Sequence, residues 1–230
     1  MESLVEIDGG VDLLHHLGGA AGEAAAPHLV AGRRVCHFSG GPNLMRWILP
    51  IALMTAFLTA EVAAAKPLPS DLVTGQVQNL AVHDAPKALP DPVFRDEQGN
   101  ETGFAAFRGK ALMVNLWATW CGPCRHEMPS IARLQALRGG DDFQVVAISV
   151  DRAGAAKARG FLDEVGADNL DLYIDQTTRI GRALGAFGLP VTLLVDRQGR
   201  EVARLVGPAE WDSPEALALV DALIAAPADQ

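Results

Sequence analysis

Apolar positions between residues 111 and 226 follow two periods. Residues 111–120 (ALMVNLWATW) form a nearly unbroken hydrophobic run, the pattern of a strand buried on both faces. Directly after it Met128, Ile131, Leu134 and Leu137 recur at helical intervals, which predicts a helix over residues 125–137. The alternation continues: strand 143–150, helix 155–165, short strand 170–174 and helix 177–184. Strands 191–195 and 201–206 flank a turn-rich connection at 196–200. A last helix is predicted from Ser213-Pro214-Glu215, with Ser213 as N-cap, Pro214 at the first helical position and Glu215 beside the positive end of the dipole. Trp117 and Trp211 read as packing residues. Strands that alternate with helices in this way imply an α/β architecture.

Ahead of this series the pattern changes. Met45-Arg46, the apolar residues 47–60 and the small residues up to Ala65 have the three parts of a secretory signal over 45–65. Cleavage after Ala65 is expected, with an uncleaved membrane anchor through 47–65 as the alternative. Residues 66–90 are rich in proline and read as a linker. Residues 1–44 are rich in glycine and alanine and lack periodicity, so they are expected to be a disordered or mis-assigned extension, with Met45 as the initiator. Arg33-Arg34 could serve as a twin-arginine signal and Cys36-His37 as a metal site, but neither exists in the protein if Met45 is the initiator. Residues 91–230 remain as one domain. The 230-residue chain, 49% hydrophobic, can bury a sizeable core, and its net charge of −9 excludes the basic stripe of a nucleic-acid binder.

The chemistry lies where the first strand meets the first helix, at Cys121-Gly122-Pro123-Cys124. A cysteine at a helix N-terminus faces unsatisfied N–H groups and a positive dipole end, which favour thiolate and draw a free-thiol pKa of about 8.5 downward. The i, i+3 spacing puts the second sulfur on the same face, so Cys121 reads as the attacking thiol and Cys124 as the resolving one. Pro123 suits a first-turn position, Gly122 leaves room for a partner's backbone, and Trp120 stands next to the nucleophile. Two other readings compete. A zinc site would need two more ligands, and the remaining cysteine, Cys36, is far upstream. A purely structural disulfide is the other.

The segment VNLWATWCGPCRHEMPSIARL resembles the active-site segment of the thioredoxin superfamily, specifically its periplasmic TlpA/ResA/DsbE branch. Pro92-Val93-Phe94, Gly99, Phe104 and Phe107-Arg108-Gly109-Lys110 upstream, and Gly188-Leu189-Pro190-Val191-Thr192 followed by LLVDRQGR downstream, extend the resemblance over about residues 90–226. It implies a three-layer thioredoxin-like fold whose central mixed sheet is flanked by helices, with an N-terminal hairpin and a helix-strand insertion around residues 151–175. It implies that Pro190 is cis and faces the cysteines, shaping with Trp120, Gly122, Pro123 and Leu189 the groove for an extended client. Asn115 stands where cytosolic thioredoxin keeps a buried carboxylate, so another base is needed, and Glu127 resembles the active-site glutamate of the ResA-like branch; a solvated first-turn Glu is the alternative. Arg125 and His126 are expected at the surface, and Pro129 is expected to kink the helix.

The resemblance implies a bacterial thiol–disulfide oxidoreductase in the periplasm, soluble or tethered, reducing disulfides of client proteins in cytochrome c or oxidase copper-site maturation. Electrons would come from a membrane dithiol donor. No cofactor or metal is expected, and the chain is expected to be a monomer. A periplasmic thiol oxidant and a copper carrier are the alternatives.

Overall fold

The elements, in chain order, are β1 (Ala81–Ala88), β2 (Phe94–Asp96), β3 (Glu101–Thr102), β4 (Ala111–Trp117), α1 (Gly122–Arg138), β5 (Phe143–Ser149), α2 (Ala155–Glu164), β6 (Leu172–Ile174), α3 (Arg179–Ala183), β7 (Val191–Val195), β8 (Arg200–Val206) and α4 (Pro214–Ala225). They come from a computed structural model that describes residues 68–227. The expected extension, the signal segment, Arg33-Arg34 and Cys36-His37 lie outside the described residues. Among the described residues no helix is long and apolar enough to cross a membrane.

The strands form one mixed sheet in the order β1-β8-β7-β4-β5-β6-β2-β3. β4, buried at every residue, lies between parallel β5 and antiparallel β7. This explains its continuous hydrophobic run, because a central strand covered on both faces has no polar side to alternate with. The registers place the functional loops. Trp117, the last residue of β4, pairs with Ser149 at the end of β5, and Leu116 pairs with Val191 at the start of β7. The loop after β4, the loop after β5 and the loop ending at Pro190 therefore meet at one end of the sheet. Crevices at the carboxyl ends of parallel strands are the usual place for a site in such sheets.

The β2–β3 pair is the expected hairpin, turning through Gly99 at φ 90°, and α2 with β6 is the insertion. Ser213 caps α4, its hydroxyl accepting from Ala216 N–H. Pro129 sits inside α1, where its missing N–H leaves the Arg125 carbonyl without that helical partner, yet the helix runs on to Arg138. The helix expected at 177–184 is shorter, Arg179–Ala183. Before it the Asp175 carboxylate accepts from the N–H groups of Thr177 and Ile180, and Thr178 turns through φ 57°.

Residues 66–90 are not a linker in their described part. Two short 3-10 turns, Ser70–Leu72 and Gly75–Val77, pack against α4, burying Leu68 and Val77. β1 then pairs antiparallel with β8 from Ala81↔Arg204 to Ala88↔Arg200. Its mostly exposed, bulged course carries no strand periodicity, and Pro86 is tolerated because an edge strand has N–H groups that need no ladder partner. Val77→Ala is expected to lower the unfolding free energy by about 2 kcal/mol, measured by urea denaturation, whereas a linker residue would leave it unchanged.

Candidate active site

β4 ends in a turn through Ala118–Trp120, and Cys121 is the N-cap of α1. The Cys121 sulfur accepts from the Cys124 N–H at 3.3 Å, while the Cys121 N–H donates to the Ala118 carbonyl at 3.1 Å. The two cysteines form a disulfide, S–S 2.07 Å, with Cα atoms 5.3 Å apart. Their accessibility differs: Cys121 keeps 6% of its surface exposed, and Cys124 keeps none. A visiting sulfur can therefore reach only the first.

Asp151, just after β5, fixes the turn that presents Cys121. Its carboxylate accepts from the Thr119 N–H at 2.8 Å, the Thr119 hydroxyl at 2.8 Å and the Ser149 hydroxyl at 2.9 Å. Buried carboxylates normally carry such complete hydrogen bonding, since burial without it is costly. Sequence reasoning missed this residue; the signal available was a carboxylate directly after an apolar strand. Arg125, expected at the surface, is half-buried instead, with its guanidinium 4.2 Å from the centre of the Phe161 ring, a cation–π contact that ties α1 to α2. His126 is exposed.

Cys121 opens into an apolar groove of about 570 Å³ that also takes in Trp120, Pro123, Phe187, Leu189 and Arg182. Of the residues expected to meet a client, the structure brings Trp120, Cys121, Pro123 and Leu189 to this groove. Gly122 is exposed beside it, and Pro190, joined to Leu189 by a cis peptide bond, is buried behind it. The Pro190 carbonyl accepts from Gly207 N–H at 2.9 Å, which fastens this loop to the end of β8. Trp120 and Phe187 are 67% and 95% exposed, and large apolar side chains left in water beside a reactive sulfur suit contact with a polypeptide. Phe187 was missed; a lone aromatic in the glycine-rich GAFGLP stretch was its only mark in the sequence.

Glu127 is not a solvated first-turn residue. It is 1% exposed, and it follows Cys124 by one helical turn. One carboxylate oxygen accepts from the Asn115 amide at 2.9 Å and the other from the Ala209 N–H at 3.3 Å. Asn115 also donates to the Thr192 hydroxyl at 3.0 Å, leaving its own carbonyl oxygen unpartnered. The Trp211 indole approaches the carboxyl without completing a hydrogen bond. Burial pushes the Glu127 pKa from 4.5 up to about 7, against the pull of the Asn115 and Ala209 hydrogen bonds, and nearby Glu210 adds to the rise.

A carboxyl that loses its proton near 4.5 when unfolded and near 7 when folded makes the folded state the better proton binder between those values, so stability falls as pH rises through that window. Glu127→Gln removes the effect. In denaturant titrations of the oxidised protein the variant is expected to match the parent at pH 4 and to exceed it by about 3 kcal/mol at pH 8.

The sequence matches the Redoxin family over residues 84–220. It is 32% identical over 168 residues to the thiol:disulfide interchange protein HelX of Rhodobacter capsulatus, covering 71% of this chain and 88% of that one. It is 31% identical over 111 residues to the thiol-disulfide oxidoreductase ResA of Geobacillus thermodenitrificans, covering 48% of this chain and 63% of that relative's length. Among solved structures, that of a thiol:disulfide interchange protein DsbE from Chlorobium tepidum superposes with a TM-score of 0.54 at 28% identity, over 60% of this chain and 96% of the other. The family match spans the whole site, from the hairpin through the cysteines to the cis-proline loop, and the chain therefore belongs to the Redoxin family as a thiol–disulfide oxidoreductase.

Proposed function

We propose that this chain works as a reductase of cystines in exported client proteins, with Cys121 as nucleophile, Cys124 as resolving thiol and Glu127 as the proton acceptor. One observation carries the reading: the sulfur at the helix N-cap opens into an apolar groove whose other wall is the cis-proline loop, while its partner sulfur is sealed behind it, one helical turn before a buried glutamate.

In the reduced protein the Cys121 thiolate, held by the Cys124 N–H and the helix dipole, attacks one sulfur of a client cystine lying along the groove. The client S–S bond breaks, one client thiolate leaves, and a mixed disulfide forms on Cys121. Cys124 then gives its proton to Glu127 and attacks the Cys121 sulfur. The second client thiolate leaves, two electrons have passed to the client, and the Cys121–Cys124 disulfide remains. Glu127 suits its part because a base with a pKa near the working pH both takes and returns a proton readily.

Direction is argued from the residues between the cysteines. Gly122-Pro123 is the dipeptide of thioredoxin, whose potential of about −270 mV lies well below the roughly −120 mV of the oxidant DsbA. Because the periplasm is kept oxidising by a kinetic relay, turnover there needs electrons from a membrane dithiol donor. The clients in this reading are apocytochrome c cysteines or those of the oxidase copper site. The protein would be monomeric and would act in the periplasm, released by cleavage after Ala65 or held through residues 47–65.

Cys124→Ser is expected to accumulate a mixed disulfide between Cys121 and a dominant client in the native host, identified by non-reducing electrophoresis and mass spectrometry. Recovery of the same adduct from Cys121→Ser would assign the attacking thiol wrongly. Equilibration against glutathione is expected to give a potential near that of thioredoxin, and a value near that of DsbA would make the protein an oxidant.

A further inference from the structure

Beside the groove there is a second opening near the cysteines. A cleft of about 180 Å³ is lined by Gln76, His126, Glu127, Pro208, Ala209 and Glu210. None of these residues lines the groove that holds Cys121, whose walls come from the ends of β4 and β5, the turn after β4, the first residues of α1, and α3 with the loop before Pro190. Glu127 thus sits between two compartments: one helical turn from Cys124 on the inside, and at the floor of a separate cleft on the outside.

We propose that this cleft is the port through which Glu127 exchanges its proton with water, so that the proton leaving Cys124 has an exit while a client covers the groove. The proposal rests on the reading of Glu127 as the proton acceptor. In balance, the Cys124 S–H proton passes to the Glu127 carboxylate and from there to water in the cleft. The Cys124 sulfur bonds to the Cys121 sulfur, the bond from Cys121 to the client sulfur breaks, and the client leaves as thiolate. Were the groove the only way to water, the bound client would close it at the step in which the proton must go.

The walls of the cleft are built. The segment after β8 is held to α1 by the Ala209 N–H on Glu127 at 3.3 Å and by the Trp211 N–H on the Ser130 hydroxyl at 3.0 Å. The opposite wall, at Gln76, is fixed by its N–H on the Glu215 carboxylate at 2.8 Å. Two charged or ionisable side chains face the opening, His126 from α1 and Glu210 from the segment after β8, both exposed. Inside, the groups meeting the carboxyl from β4 and β7, Asn115 and the Thr192 it binds, are neutral and do not titrate.

The test uses the full chain with Gln76→Trp, an exposed position whose enlarged side chain covers the mouth, and separately Ala209→Leu, which fills the floor. Single-turnover reaction with a cystine peptide, stopped in acid, gives the rates of mixed-disulfide formation and of its resolution. Each plug is expected to slow resolution roughly tenfold at pH 7, to leave formation unchanged, and to have less than about a twofold effect on resolution in a Glu127→Gln background. Equal slowing in both backgrounds, or none in either, overturns the port. A second measurement stands apart from kinetics: ¹³C-NMR titration of Glu127. Its midpoint is expected to rise in the plugged proteins and to stay put when a peptide is locked onto Cys121 in Cys124→Ser; the reverse pattern overturns the proposal. Should Glu127→Gln resolve as fast as the parent, the acceptor role fails, while the NMR comparison still decides where Glu127 meets water.

Discussion

The N–H of Cys124 pointing at the sulfur of Cys121 is the contact that the rest of the site is arranged around. It exists because α1 begins one short turn after a central strand buried at every residue, so the first cysteine becomes an N-cap and the second enters the first helical turn. A helix end offers four N–H groups with no intrahelical acceptor, and a sulfur in capping position takes up one of them. The same contact that satisfies the helix end in the disulfide stabilises charge on sulfur in the reduced protein. Asp151 holds the turn in place, and the β4–β7 register sets the cis-proline loop opposite it. The geometry is shared between local capping and long-range pairing, and neither alone would build it.

Against this stands a cost. Glu127 is a carboxyl with almost no contact with water, and burial alone makes its charged form unfavourable. Two hydrogen bonds, from Asn115 and Ala209, offset part of that penalty and leave the group poised near neutrality. A fold selected for stability only would place an apolar residue there. The charge is tolerable because each carboxylate oxygen keeps one hydrogen-bond donor.

Much of the fold was legible in the sequence. The unbroken run at 111–120 marks the central strand because such a strand has no solvent side, and the step from that run to helical spacing marks the N-cap position of Cys121. Ser213-Pro214 marks the start of α4 by its capping chemistry alone. What was not legible depends on distant partners. β1 is mostly exposed and is a strand only because β8 lies beside it, and residues 68–80 look like linker because a few apolar side chains scattered among polar ones do the packing. For the site, spacing exposed the two cysteines, whereas the burial of Glu127, the anchoring by Asp151 and the exposed Phe187 at the groove depend on tertiary neighbours that local pattern marks only faintly.

The account stands or falls on the acidity of one sulfur. In the reduced protein carrying Cys36→Ser and Cys124→Ser, where the residue-124 N–H is kept and Cys121 is the sole remaining thiol, ultraviolet thiolate absorbance followed against pH reports it directly. A midpoint at least about one unit below the free-thiol value of about 8.5 is the predicted result. A midpoint at or above that value would mean that the helix end does not activate Cys121, and the nucleophilic role built on it would be contradicted.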